Sequence, residues 1–316
     1  MQWRVSSGKK ETTDMKVLSV DGLTKRYENF ALEGVSFSVK QGRIMGLIGK
    51  NGAGKTTTLK SILNLVTPDA GKVEMFGRDF RANETVCKQD IGVVLGGIDF
   101  YNHKRLSDIT AVTKRFYTNW DEDAYQKYLK TFELVPSKRV KQLSSGMKVK
   151  YMLALALSHK ARLLILDEPT SGLDPVSRDD LLGLFRQLVK DGERSILYST
   201  HITSDLEKCA DAITYIKDGK LLKSAETTAF IEAFQHLRIP TDKVRLSLEE
   251  IMIRTERSSY DVCSTIQRAT TCGAPTTVRL HIPRYFGNSS RLPLWHGILV
   301  WVPGAIHHVH VRSRDQ

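Results

Sequence analysis

Cysteine is scarce in this 316-residue chain: four are present, at positions 87, 209, 263 and 272, and no two form a CxxC pair. That spacing argues against a metal ribbon or disulfide framework and favours reduced thiols in a cytosolic protein. Long hydrophobic runs are missing too. The most apolar late stretch, 294–302, is far short of the ~20 residues a membrane-spanning helix needs. The N-terminal residues are polar and lack the apolar core of a signal peptide, so 1–15 read as a disordered leader, with Met15 a candidate native start. Internal repeats and heptad arrays are absent. Any membrane role must therefore come through a partner. Although the net charge is +12, no basic cluster with interleaved aromatics forms a platform, so no nucleic-acid partner is expected.

Hydrophobic residues make up 41% of the chain, ample for a packed core, and the length suits one large α/β domain with an appendage, or two domains. The stretch that organises it is Gly49-Lys50-Asn51-Gly52-Ala53-Gly54-Lys55-Thr56-Thr57. This fits the phosphate-binding pattern GxxxxGK[ST]. It follows an apolar run, 44–48, that reads as a buried strand, and precedes a segment, 58–65, with apolar residues at helical spacing. Glycines let backbone N–H groups turn inward around phosphates, and the following helix directs its positive end at them. Lys55 is expected to reach the β- and γ-phosphates, and Thr56 to ligate Mg²⁺. A glycine-rich turn that binds nothing is the competing reading. Strand, motif and helix in register weigh against it.

Further strands are expected at 15–20, 31–40 with a break at Gly34, 72–76 after the turn Thr67-Pro68-Asp69-Ala70-Gly71, and 91–95. Helical spacing covers 106–116 and 121–134, then 145–158. An intensely apolar strand, 163–166, is followed by an alternation of helix 176–190, strand 194–199, helix 203–209 and strand 212–217. Asp218-Gly219 signals a hairpin into 220–223. The apolar strand delivers Asp167 and Glu168 to its C-terminal edge. There Asp167 can hold Mg²⁺ through water and Glu168 can activate the attacking water. Such a pair is weak evidence alone and strong downstream of a phosphate loop.

Between loop and acidic pair lies Leu143-Ser144-Ser145-Gly146-Met147. Here the chain resembles the ATP-binding cassette (ABC) family, whose signature is LSGGQ; Ser144 and Gly146 match, Ser145 and Met147 are substitutions. The resemblance implies that Ser144 and Gly146 meet the γ-phosphate on the loop of an opposite subunit. It likens Ser171-Gly172-Leu173-Asp174 to the D-loop that communicates across the dimer, Ser199-Thr200-His201 to the segment carrying the switch histidine, and Tyr27 to the aromatic that stacks on adenine. His201 is then expected to contact the γ-phosphate. The run Arg115-Phe116-Tyr117-Thr118-Asn119-Trp120-Asp121 and the stretch 166–175 look like those of bacterial exporter subunits that pair with separate permeases of the ABC-2 type. The segment 246–252 is similar to one that closes such proteins.

Two positions depart from the family pattern. Gly96-Gly97 stand where a glutamine usually contacts Mg²⁺ and the attacking water, leaving Asp99 or a water as the substitute. Lys50 stands where proline is common, at an unconstrained position, and is expected to change little. The implied architecture is an α/β P-loop NTPase of the ABC nucleotide-binding type over 16–240, with an antiparallel β subdomain and a helical insertion at about 98–160, then the family segment 241–256. Beyond it, 257–316 holds seven Arg, no Lys and only two acidic residues. It reads as a disordered or non-native tail, in which metal binding by His307-His308-Val309-His310 is the weaker alternative.

The function so implied is an ATP-binding and ATP-hydrolysing subunit, using ATP and Mg²⁺, that powers an integral-membrane permease from the cytoplasmic face, in the export direction. It would pair with a second nucleotide-binding subunit. A non-transport cassette ATPase, or a nucleotide-gated regulatory subunit with little turnover, stays open as the alternative.

Overall fold

A computed structural model describes residues 15–95, 101–235 and 247–257. In chain order these form β1 (Lys16–Arg26), β2 (Ala31–Lys40), β3 (Ile44–Ile48), α1 (Lys55–Ile62), β4 (Ala70–Met75), β5 (Arg78–Asp79), α2 (Glu84–Gln89) and β6 (Ile91–Leu95). There follow α3 (Leu106–Thr113), α4 (Glu122–Thr131), α5 (Ser145–Ser158), β7 (Leu163–Asp167), α6 (Pro175–Val189), β8 (Ser195–Thr200), α7 (Thr203–Cys209), β9 (Ala212–Lys217), β10 (Lys220–Glu226), α8 (Thr227–Gln235) and α9 (Leu248–Arg257). The expected leader, the Gly96-Gly97 departure with Asp99, and the tail from 258 onward lie outside the described residues.

The strands run in the order β5-β4-β1-β2-β10-β9-β3-β8-β7-β6. From β9 to β6 every pairing is parallel, which is what continuous apolar runs demand, because parallel strands are covered on both faces. The pleat then sorts their side chains. Ile44, Ile48, Leu164, Leu166, Ile196 and Tyr198 enter one core, shared with α5 and α6. Met45, Leu47, Leu163, Ile165 and Leu197 enter another, shared with α1 and the antiparallel strands β1, β2 and β4. A bridge between Lys220 and Glu33 joins the antiparallel part to the parallel part.

The helical region between β6 and β7 is held by a buried polar knot. Thr110 Oγ1 lies 2.7 Å from Tyr125 Oη and 2.9 Å from Tyr151 Oη, and Tyr151 donates to the Leu106 carbonyl at 2.9 Å. One hydroxyl thus links α3, α4 and α5 and leaves these buried polar atoms paired.

Several boundaries differ from expectation. The helix expected over 106–116 ends at Thr113 and tightens into a 3-10 turn at Lys114–Phe116. The helix after the phosphate loop starts at Lys55, not 58, because the loop's last residues already supply its first turn. β2 continues through Gly34, and the expected break takes the form of a shift in register against β1 between Leu32 and Val35, with Gly34 in a left-handed conformation (φ 60°).

Candidate functional site

The phosphate loop spans the gap between β3 and α1, and its shape rests on close backbone contacts. Gly54 has φ 109°, and a Cβ there would stand 2.9 Å from the Phe30 ring. Any other residue would be strained and displaced at once. Gly49 lies against the carbonyl of Ile216 on β9, leaving no room for a side chain. Gly219, in the β9–β10 turn, donates its N–H to Ala53 O at 3.0 Å. Gly52 is the exposed crest, at φ 84°. Asn51 is exposed beside it, and Thr57 is half-buried in the first turn of α1.

Lys55 is 5% exposed, and its ammonium donates to Gly49 O at 2.6 Å and Lys50 O at 3.2 Å while pairing with Glu168 Oε1 at 3.2 Å. Next to it, Thr56 Oγ1 donates to Asp167 Oδ2 at 2.8 Å. The ends of β3 and β7 therefore bring the loop and the acidic pair into one cluster. Glu168 Oε2 lies 2.8 Å from His201 Nδ1, which adds the segment after β8. Glu168 itself holds φ 49°, a left-handed backbone that is uncommon for a non-glycine residue and tends to mark functional turns.

Ser199 completes the cluster. Its hydroxyl donates to Asp167 Oδ1 at 2.5 Å and accepts the Glu168 N–H at 3.0 Å, fixing the Asp167 carboxylate and the Glu168 backbone to β8. Sequence reasoning placed Ser199 in the switch segment but gave it no role. The available signal was a polar residue at the C-terminal end of an apolar buried strand, directly opposite Asp167 on β7.

The chemistry of this donor set fits Mg²⁺ on a nucleotide. Thr56 and Asp167 offer hard oxygen ligands side by side, as that ion requires. The Glu168 Oε1 atom is buried without a hydrogen-bond donor and faces only the Lys55 ammonium.

Other expected site residues stand apart from this cluster. Tyr27 is 47% exposed at the end of β1, its ring 6.4 Å from Phe30 and beneath the Lys25 ammonium at 5.7 Å. Ser144 caps α5, accepting the Met147 N–H at 3.2 Å. Gly146 sits against Leu173, and Ser145 Oγ donates to Gly172 O at 3.1 Å, so signature and D-loop are neighbours. Asp174 caps α6, accepting from Val176 N at 3.1 Å and Ser177 N at 3.0 Å, and hydrogen bonds from Ser177 hold its carboxyl below the usual range. One expectation is corrected. Lys50 is not unconstrained: its ammonium pairs with Glu256 Oε2 of α9 at 3.0 Å.

A strand, a glycine-rich phosphate loop and a helix, with an acidic pair on the second strand along, define a P-loop nucleotide-binding protein. A family model described as ABC transporter matches residues 32–171. The bacitracin transport ATP-binding protein BcrA of Bacillus licheniformis is 34% identical over 210 residues, covering 66% of this chain and 69% of that one. The Nod factor export ATP-binding protein I of Burkholderia orbicola is 34% identical over 227 residues, covering 69% and 74%. A solved ATP-binding subunit of an ABC transporter superposes with a TM-score of 0.66 at 27% identity, covering 76% of this chain and 99% of that chain. The chain belongs to the ATP-binding proteins of the ABC transporter family. Among the described residues no helix is long and apolar enough to cross a membrane.

Proposed function

We propose that this chain hydrolyses ATP to drive an export permease. It would act as one of two cassettes docked on the cytoplasmic side of that membrane protein. The observation that carries this reading is the single cluster of Lys55, Thr56, Asp167, Glu168 and His201 at the ends of β3, β7 and β8. Export is supported by the name of the Nod factor export relative, and transport by that of the bacitracin relative.

In the proposed reaction the loop N–H groups and Lys55 take the β- and γ-phosphates. Lys55 exchanges its loop carbonyls and Glu168 for phosphate oxygens. Thr56 and Asp167 hold Mg²⁺, which would neutralise charge on the phosphates when bound. Glu168 orients and deprotonates the attacking water, and His201 holds the γ-phosphate. Ser199 keeps Asp167 and Glu168 in place. Tyr27 stacks on adenine. Ser144 and Gly146 meet the γ-phosphate on the opposite subunit, with Asp174 stiffening the adjoining D-loop.

Phosphate release from the purified protein tests this. Glu168→Gln should lower turnover by roughly 10²–10⁴-fold, the usual share of a general base, with ATP binding kept. Undiminished hydrolysis in that variant would refute the role. A wild-type protein that binds ATP without turnover would instead favour the regulatory reading.

A further inference from the structure

The last described helix, α9, reaches the nucleotide site from behind. Its N-terminus is closed by a capping box: Glu250 N–H donates to Ser247 Oγ at 3.2 Å, and Ser247 N–H to Glu250 Oε2 at 3.1 Å. Leu248 and Ile251 are buried in the same core as Phe230 and Phe234 of α8. At its far end, Glu256 is 7% exposed in its side chain. Its Oε1 accepts from the buried Tyr215 hydroxyl at 2.9 Å, and its Oε2 pairs with Lys50 at 3.0 Å. Lys217 also donates to Thr255 O at 2.8 Å. Tyr215 and Lys50 thus give each of the two Glu256 carboxyl oxygens a partner.

Lys50 faces two ways. Its side chain holds α9, while its carbonyl holds the Lys55 ammonium at 3.2 Å. The start of α9 is tied elsewhere: Leu248 N–H donates at 2.7 Å to Glu207 Oε1 on α7, the helix that directly follows His201. One helix therefore touches the phosphate loop at one end and the switch segment's helix at the other.

We propose that Glu256 is a positioning residue for the nucleotide: through Lys50 it sets the entry arm of the phosphate loop, and α9 couples that arm to the helix behind His201. This rests on the ATP reading above. Glu256 touches neither nucleotide nor water; it acts through Lys50.

The test is a double-mutant cycle on the full chain, with ATP affinity read by fluorescent-nucleotide displacement and kcat read separately. Lys50→Gln and Glu256→Gln should each weaken ATP binding roughly three- to tenfold, and the pair together no more than either alone. Lys50→Arg, which keeps the charge, should restore affinity to within about twofold of wild type. The kcat at saturating ATP should change less than affinity. Additive losses would mean that Lys50 acts on phosphate directly and would overturn the role of Glu256. So would a loss confined to Glu256→Gln, which would report a weakened fold, since Lys50 is an exposed side chain. Variants all matching wild type would overturn the proposal while leaving the ATP reading intact. A wild-type chain that binds no ATP would refute that reading and this role with it.

Discussion

His159 offers a quantitative test of the seam between the parallel core and the helical insertion. It follows the last residue of α5, is 2% exposed, and donates through Nδ1 to Gln89 O at 3.1 Å. Its ring stacks on Tyr117 at 3.7 Å and 11°. Gln89 fastens the same seam with its side chain, donating to Phe116 O at 2.9 Å and accepting from Thr118 N at 3.0 Å. Burial among groups such as Val93, Met152 and Ala156 pushes the imidazole pKa down to about 4. In the unfolded chain it would titrate near its ordinary value of about 6.5. The folded pKa is depressed, so below about 6.5 the unfolded state takes up a proton that the native state refuses. Stability from this group is thus full above that pH and falls with acidification until pH 4 is reached.

Between pH 8 and pH 5 the linked loss is about 2 kcal/mol, from the ratio of the two binding polynomials. Urea unfolding at both pH values measures it, with His159→Phe as the control. Phenylalanine keeps a stacking ring and cannot titrate; it sacrifices the bond to Gln89 O, at a pH-independent cost of about 1–3 kcal/mol. Wild type should therefore lose about 2 kcal/mol more than the variant over the interval. Equal losses would refute the buried neutral imidazole.

The remaining predictions concern the nucleotide and the partners. Tyr27→Ala should weaken ATP binding roughly ten- to hundredfold, the scale of a lost base stack, whereas Tyr27→Trp should bind nearly as wild type; unaltered affinity in the alanine variant would remove Tyr27 from the site. Ser144→Ala should cost about 1 kcal/mol in urea unfolding through the lost cap of α5. In a Glu168→Gln background it should also prevent ATP-driven dimerisation seen by light scattering. A dimer that forms regardless would detach Ser144 from the opposite nucleotide. Affinity isolation from detergent-solubilised native membranes should bring down a multi-span permease in stoichiometric amount, and its absence would count against transport.

The elements most legible in the sequence were those under the strictest constraint. β3, β7 and β8 are buried on both faces, so their apolar runs had no alternative fate, and α7 and β9 fell at their expected residues. The sequence reading missed α8, nine residues with Phe230 and Phe234 buried four apart, and two elements that are short and weakly patterned. β5 is two residues long, and α2 is six residues, Glu84 to Gln89, in which Cys87 is the one buried apolar side chain. The site was legible wherever a role depends on a local motif. Lys55, Thr56, Asp167 and Glu168 are each fixed by their neighbours in the chain, and the parallel sheet then delivers them to one edge. Contacts between remote segments leave no such trace. Nothing near Lys50 points to Glu256, and nothing near Glu256 marks it as the residue that a phosphate loop would lean on. The pairing arises because Tyr215 and α8 seat α9 beside the loop.

Glu168 stands between the Lys55 ammonium at 3.2 Å and the His201 ring nitrogen at 2.8 Å in this structure, on a left-handed backbone that Ser199 holds in place. In the proposed reaction both groups are needed by the γ-phosphate, so Glu168 and the nucleotide compete for them. The side chain is 23% exposed and Lys55 only 5%, which leaves little water to screen the pair. Replacing the carboxylate by an amide keeps the acceptor for His201 and removes the charge that holds Lys55. Glu168→Gln should therefore bind ATP more tightly than wild type, by a few-fold, the scale expected for one partly buried charge pair. Nucleotide titration of the variant at fixed ionic strength reads this directly. Binding weaker than wild type would show that Glu168 helps to seat the nucleotide, and the competition would be wrong even if turnover were abolished.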